Sequence, residues 1–314
     1  MSSAAEKRTA WARIRRDTYD ASAESEDSYV TAKDGHRVFH HLWKPSGPIR
    51  AQVVYFHGLG EHCMRYGHVF GPFSDAGILV RAIDWRGHGR TVLRNKNGVQ
   101  GFHESFDTVF EDMIQVLGVP VEGATADTPL FVMGHSMGGL LALAFVHKYK
   151  SRLPNLRGCI SQAPALAPGK PIPAFLASLI RLLGGVLGKV TQPNELDLEG
   201  LCSSDPVVEA YLKDPFNHGL ISFRLAKDML VHQKMLLDSA GSWNTPLIMY
   251  HNCRDRFTDA KTSESYFNAA SGVTDKKFYG FQESQMLEHE VHNEPSVSHS
   301  ITSDYIEWIH DRAK

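Results

Sequence analysis

Glycines at 134 and 138, two residues to either side of Ser136, constrain this chain more than any other feature. Pro129 opens a short apolar run, Leu130 to Met133, of the length and bounding that predict a buried parallel strand, and Gly134 ends it. From Met137 onward Leu140, Leu141, Ala144, Phe145 and Lys148 recur at helical spacing, so the period changes from strand to helix within a few residues. A serine at such a junction is expected in a strained backbone conformation. Its neighbours at two positions before and after must be small for strand and helix to approach, and glycine meets that demand.

The pattern Gly-x-Ser-x-Gly, with a strand before it and a helix after it, resembles the nucleophile elbow of α/β-hydrolases. A serine hydroxyl is a poor nucleophile at neutral pH, so the rest of the chain must supply a base, a group to orient that base, and donors for an oxyanion.

With 314 residues, 42% hydrophobic and 22% charged, the chain has enough apolar surface for one α/β domain carrying an insertion. Its net charge of −2 removes any general case for nucleic acid as a partner. Cys63, Cys159, Cys202 and Cys253 lack metal-ligand spacing, and free thiols in a reducing, cytoplasmic compartment are expected. The polar stretch from Met1 to Asp27 holds no apolar run suited to a secretory signal; it reads as a solvated tail with a short basic helix at Ala10 to Arg16.

Tyr29 to Trp43 reads as a hairpin around Asp34-Gly35. The apolar strand Ala51 to Phe56 then runs into His57-Gly58-Leu59-Gly60-Glu61-His62. In a fold of this kind one backbone N–H of such a loop faces the oxyanion and the residue after the serine supplies the other, which assigns Leu59 and Met137. A strand at Ile78 to Ile83 ends in a glycine-rich loop where Asp84 is expected to hold loop amides. Phe102 to Leu117 carries helical periodicity, and Gly158 to Ala163 is a further strand. Between Ala165 and Trp243 the alternation stops, with no clear strand, which marks an insertion. Within it Phe175 to Val190 is nearly uniformly apolar but too short and glycine-interrupted to span a membrane; it reads as a cap helix over an apolar pocket with one face for a lipid surface. Phe223 to Leu237 forms a second helix there.

The sheet resumes at Pro246 to Tyr250, and the loop after it offers Asp255 as the orienting acid. Asp259 competes, although its place before a helix suits N-capping. Phe278-Tyr279 reads as the last strand, after which the base must follow; His289, His292 and His299 are available. No cysteine or further histidine joins His289 and His292 into a metal site, so neither metal nor cofactor is expected. Ile301 to Ala313 closes the chain as a helix. The expected architecture is a mostly parallel eight-stranded sheet flanked by helices, with a tail at 1–28, a core at 29–164 and 244–314, and a helical cap at 165–243 after the sixth strand.

The order Ser136, Asp255, His289 accompanies His-Gly-x-Gly-Glu-His at 57–62 with Arg65 and Tyr66, Asp-x-Arg-Gly-His-Gly at 84–89, Gly-His-Ser-Met-Gly-Gly at 134–139 and His-x-x-His-x-Glu at 289–294. Over about residues 29 to 312 the chain resembles the monoacylglycerol lipase group of α/β-hydrolases. The resemblance implies that Ser136 attacks an ester carbonyl, His289 relays the proton, Asp255 orients the imidazole, and the Leu59 and Met137 amides hold the oxyanion. It further implies a cap over an acyl tunnel, peripheral contact with a membrane or lipid droplet, and Glu61, Arg65, Tyr211 and His292 near the end that receives glycerol. Lysophospholipase or general carboxylesterase activity is the alternative within the same chemistry, and a non-catalytic ligand-binding protein is the alternative outside it. The sequence departs from the group in two places. Asn252 replaces the usual glycine before the acid, where a left-handed turn is expected, and Gln282 to Glu288 lengthen the loop before the base, which leaves His292 as an alternative to His289.

Overall fold

The structure is a computed structural model that describes residues 28–194 and 197–314. The expected tail to Asp27, with its basic helix at Ala10 to Arg16, lies outside the described residues. Ten strands are present among them: β1 (Tyr29–Thr31), β2 (Arg37–Trp43), β3 (Ala51–Phe56), β4 (Ile78–Ile83), β5 (Leu130–His135), β6 (Leu156–Gln162), β7 (Thr191–Pro193), β8 (Leu220–Ser222), β9 (Leu247–Asn252) and β10 (Lys276–Phe281). The helices are α1 (Gly67–Asp75), α2 (Gly89–Arg94), α3 (Phe106–Leu117), α4 (Met137–Tyr149), α5 (Ala174–Val186), α6 (Asp205–Lys213), α7 (Phe223–Ser239), α8 (Ala260–Ala269) and α9 (Ser298–Arg312).

Eight strands form one sheet in the order β1-β2-β4-β3-β5-β6-β9-β10. β1 and β2 pair antiparallel, β2 pairs antiparallel with β4, and every pairing from β4 to β10 is parallel. This is an α/β-hydrolase sheet, open rather than closed into a barrel. Both faces are covered, and β3 shows how: Val54 and Phe56 enter the core beneath α3 and α4, whereas Val53 and Tyr55 enter the core beneath α1 and α9. Double burial explains why β3 and β4 read as apolar runs, broken only by Gln52 and Arg81, rather than as alternating ones.

Local signals fix the helix ends. Ser105 caps α3 by accepting from Thr108 N–H at 3.1 Å, so this helix starts at Phe106 and not at Phe102. Asp259 caps α8 through Thr262 N–H at 2.9 Å.

The stretch between β6 and β9 departs from expectation in one respect. Where no strand was legible, β7 and β8 pair antiparallel into a two-stranded ribbon. Three residues per strand are too few to register a period of two. α7, read as part of the inserted segment, packs on α4 and buries Leu225 and Leu236 completely. α5 lies across α7 at a close approach: a methyl group on Gly184 would stand 2.5 Å from Lys227 Cβ and 2.6 Å from Phe223 O. Its opposite face carries Phe175, Leu179, Leu182 and Val186, one helical stripe, with Phe175 76% and Val186 75% exposed. Among the described residues no helix is long and apolar enough to cross a membrane.

Candidate active site

Ser136 sits between β5 and α4 with φ 56° and ψ −121°, the strained geometry the elbow demands. The two glycines permit it. A side chain on Gly134 would collide with Gly138 O, and one on Gly138 would lie 2.5 Å from His57 O and closer still to Phe56 O. β5 also brings Ser136 to the carboxyl end of the parallel sheet, beside the ends of β3, β6 and β9.

The loops after β9 and β10 deliver the other groups. His289 Nε2 lies 2.8 Å from Ser136 Oγ, and His289 Nδ1 lies 2.6 Å from Asp255 Oδ2. Asp255 Oδ1 accepts from Phe257 N–H at 2.8 Å and Thr258 N–H at 3.0 Å, and Oδ2 accepts from Thr258 Oγ1 at 2.8 Å. His251 Nε2 is 3.2 Å from the same oxygen. Burial works to raise the Asp255 carboxyl, but His289 and His251 outweigh it and hold it well below the usual carboxylate range. For His289 burial acts downward, and the charge and hydrogen bond of Asp255 turn the balance upward, above the ordinary histidine value.

His289, rather than His292, therefore meets the hydroxyl. His292 is fully buried against the rings of Tyr66 and His135, and burial holds it well below the ordinary histidine value. Asp259 is occupied as the α8 cap, and Asp84 accepts from Cys63 N–H at 2.9 Å and Arg90 N–H at 2.8 Å, which fits its reading as a holder of loop amides.

The longer loop before His289 is pinned by side chains the sequence did not single out. Gln162, the last residue of β6, donates from Nε2 to His289 O at 2.9 Å and pairs with His135 Nδ1 through its Oε1. Asn252, the last residue of β9, donates to Leu287 O. Its backbone is extended, not left-handed: the described non-glycine residues with positive φ are Ser136, Asn155, Ala163 and Met286. Asn252 thus replaces glycine for its amide, not for its backbone freedom.

A cavity of about 260 Å³ opens at Ser136. Ile172, Ile180, Leu201, Met229, Leu230 and Phe257 make its apolar walls, and Leu59 and Met137 border it beside the serine. Met137 is the first residue of α4, so its N–H has no partner within the helix. Glu61, Tyr211 and Glu290 are among its polar lining residues, with His135, Asn194, Gln233 and Thr258. Arg65 and His292, expected at the same end, are not among the lining residues. Arg65 is drawn aside by Glu61 and by Glu290, whose two oxygens it meets at 2.8 and 3.0 Å, and its guanidinium lies 4.5 Å from the centre of the Tyr211 ring.

A strained serine, a carboxylate-oriented imidazole and an apolar cavity on this sheet define the class: an α/β-hydrolase of the lipase and esterase type. Residues 47–296 match the Hydrolase_4 family, described as serine aminopeptidase, S33, and the chain belongs to that family. It is 28% identical over 292 residues to the monoacylglycerol lipase of Mycolicibacterium smegmatis, covering 92% of this chain and 98% of that protein. It is 35% identical over 270 residues to an uncharacterized abhydrolase domain-containing protein of Dictyostelium discoideum; the match covers 86% of this chain but only 27% of that longer protein. The crystal structure of the Paleococcus ferrophilus monoacylglycerol lipase superposes with a TM-score of 0.75 at 27% identity, covering 88% of this chain and 99% of that one. The chain is accordingly a monoacylglycerol lipase-like ester hydrolase.

Proposed function

We propose that this protein cleaves monoacylglycerols to a fatty acid and glycerol through an acyl-enzyme formed on Ser136. The observation that carries the reading is the Ser136–His289–Asp255 hydrogen-bonded chain, whose serine and histidine line a largely apolar cavity with a few polar groups. In this mechanism His289 Nε2 takes the Ser136 proton as Oγ attacks the ester carbonyl, and Asp255 stabilises the resulting imidazolium. The N–H groups of Leu59 and Met137 receive the tetrahedral oxyanion, each worth roughly 3 kcal/mol in the transition state. The C–O bond of the ester breaks, His289 returns the proton to the departing glycerol, and water repeats the sequence on the acyl-enzyme.

The acyl chain runs along Ile180, Met229 and Leu230, where each buried methylene contributes ~0.8 kcal/mol. Glycerol occupies the end marked by Glu61 and Tyr211, with Arg65 and His292 acting behind them. Residues 165–243 serve as a cap on a core formed by 29–164 and 244–314, and the apolar stripe on α5 meets a membrane or lipid-droplet surface. The relatives that carry the name monoacylglycerol lipase support this substrate.

The test is kcat/KM of the purified protein on a chain-length series of monoacylglycerols, beside lysophosphatidylcholine and short p-nitrophenyl esters. Rising kcat/KM with chain length and preference for monoacylglycerol are expected. Preference for lysophosphatidylcholine, or for the short esters, would replace this reading with a lysophospholipase or a general carboxylesterase.

A further inference from the structure

Glu290 directly follows His289, and nothing in the elbow or the relay requires an acid there. A guanidinium beside an ester-cleaving serine is a natural binder of anionic head groups, because its planar fork takes a phosphate or carboxylate through two hydrogen bonds. Arg65 is not available for that purpose. Its Nη1 and Nη2 meet Glu290 Oε1 at 2.8 Å and Oε2 at 3.0 Å, and Nη1 also meets Glu61. Glu290 cannot swing away: Asn293 Nδ2 donates to it at 2.7 Å, its own N–H donates to Leu201 O at 2.9 Å, and the His289 N–H donates to Gly200 O at 3.0 Å. Burial works to raise the Glu290 carboxyl, yet Arg65 holds it at about 2, so it stays ionised.

Among the described residues, two carboxyl side chains and no lysine or arginine line the cavity. Glu61 and Glu290 line the cavity, whereas Arg65 is not among its lining residues. Arg65 and Glu290 cancel each other's charge, and Glu61 adds further acceptor oxygens, leaving no net positive charge for an anion to meet. We propose that Glu290 sets head-group specificity by sequestering Arg65, so that the cavity admits uncharged hydroxyl-bearing heads and rejects anionic ones such as an acylglycerol phosphate. Hydroxyl groups donate to carboxylate oxygens. A phosphate would lose its hydration beside two carboxyl side chains and meet no cation in return. The inference rests on the reading of the Ser136 cavity as an ester site.

The experiment compares kcat/KM for a monoacylglycerol and the acylglycerol phosphate of the same medium acyl chain, both below their micellar concentrations, in wild type, Glu290→Gln and Glu290→Asp. Wild type is expected to favour the uncharged ester by ~100-fold or more, the scale of desolvating a charge that finds no partner. Glu290→Gln keeps the shape but removes the two-pronged carboxylate partner of Arg65, leaving it only the single contact to Glu61, and should narrow that ratio by at least ~10-fold. Glu290→Asp keeps the charge and should keep the preference. A wild-type ratio near one overturns the proposal, as does a ratio unmoved in a Glu290→Gln protein that still reacts with a fluorophosphonate. Equal narrowing by Asp and Gln also overturns it, since charge would not be the cause. Loss of the ester reading itself would look different: wild type would hydrolyse neither lipid and would take up no fluorophosphonate at Ser136.

Discussion

Adding one methyl group, through Gly138→Ala, tests how the elbow builds its oxyanion donors. The new Cβ would stand 2.5 Å from His57 O and closer to Phe56 O, where ordinary contact begins at 3.4 Å. Both obstructions are backbone atoms at the end of β3, so no side-chain rotation relieves them, and α4 must retreat from β3 by ~1 Å, as overpacked cores do. Overpacking of this kind costs about 1–3 kcal/mol, which for a domain of this size lowers Tm by roughly 2–10 °C. The catalytic effect should be larger than the thermal one. Leu59 follows the β3 side of the contact and Met137 belongs to the α4 side, so separating the two draws the assigned donors apart. Losing one donor reduces kcat by roughly 10²–10³-fold. KM should move less than kcat, because the acyl walls at Met229 and Leu230 lie on α7 and not on either of the clashing elements. Steady-state kinetics on a p-nitrophenyl ester, together with a thermal melt, provides the assay. A variant whose Tm falls but whose kcat stays within ~3-fold of wild type would refute the donor assignment. An unchanged Tm would refute the contact itself.

Because Asp255 lifts His289 above the ordinary histidine value of about 6.5, kcat/KM should rise with pH as the imidazole loses its proton, with an apparent pKa above that value. Asp255→Asn should move this limb to lower pH and reduce kcat by roughly 10³–10⁴-fold; a limb at or below the ordinary value in wild type would contradict the pairing. Asn252→Leu removes the donor to Leu287 O and leaves a buried carbonyl unpaired, at a cost of about 1–3 kcal/mol; unchanged melting and turnover would show that the loop does not need this amide. On α5, Phe175→Asp combined with Val186→Asp should weaken co-sedimentation with phosphatidylcholine vesicles by roughly 10-fold or more, and equal binding would remove the stripe as a lipid contact.

What could be read from the chain depended on how local each signal was. The elbow was legible because the change of period and the two glycines fall within nine residues. Asp255 could be preferred to Asp259 because N-capping is a local role that explains Asp259 without chemistry, and Asp259 does cap α8. β7 and β8 were not legible, since two three-residue strands leave no pattern. Asn252 was noticed as a departure, but its reason lies in a contact 35 positions away, which no turn propensity encodes. Gln162 reaches His289 across 127 positions and Glu290 reaches Arg65 across 225. The acid beside His289 was visible as a letter. Its meaning required knowing where Arg65 points, and so did the finding that Arg65 itself does not line the cavity.

The most direct test asks whether a fluorophosphonate finds Ser136 and whether His289 is what makes that serine reactive. Intact-mass analysis and peptide mapping of wild type should show a single adduct, on Ser136, and His289→Ala should slow its formation by roughly 10³-fold or more. An adduct on any other residue, or labelling of His289→Ala at the wild-type rate, would contradict the account.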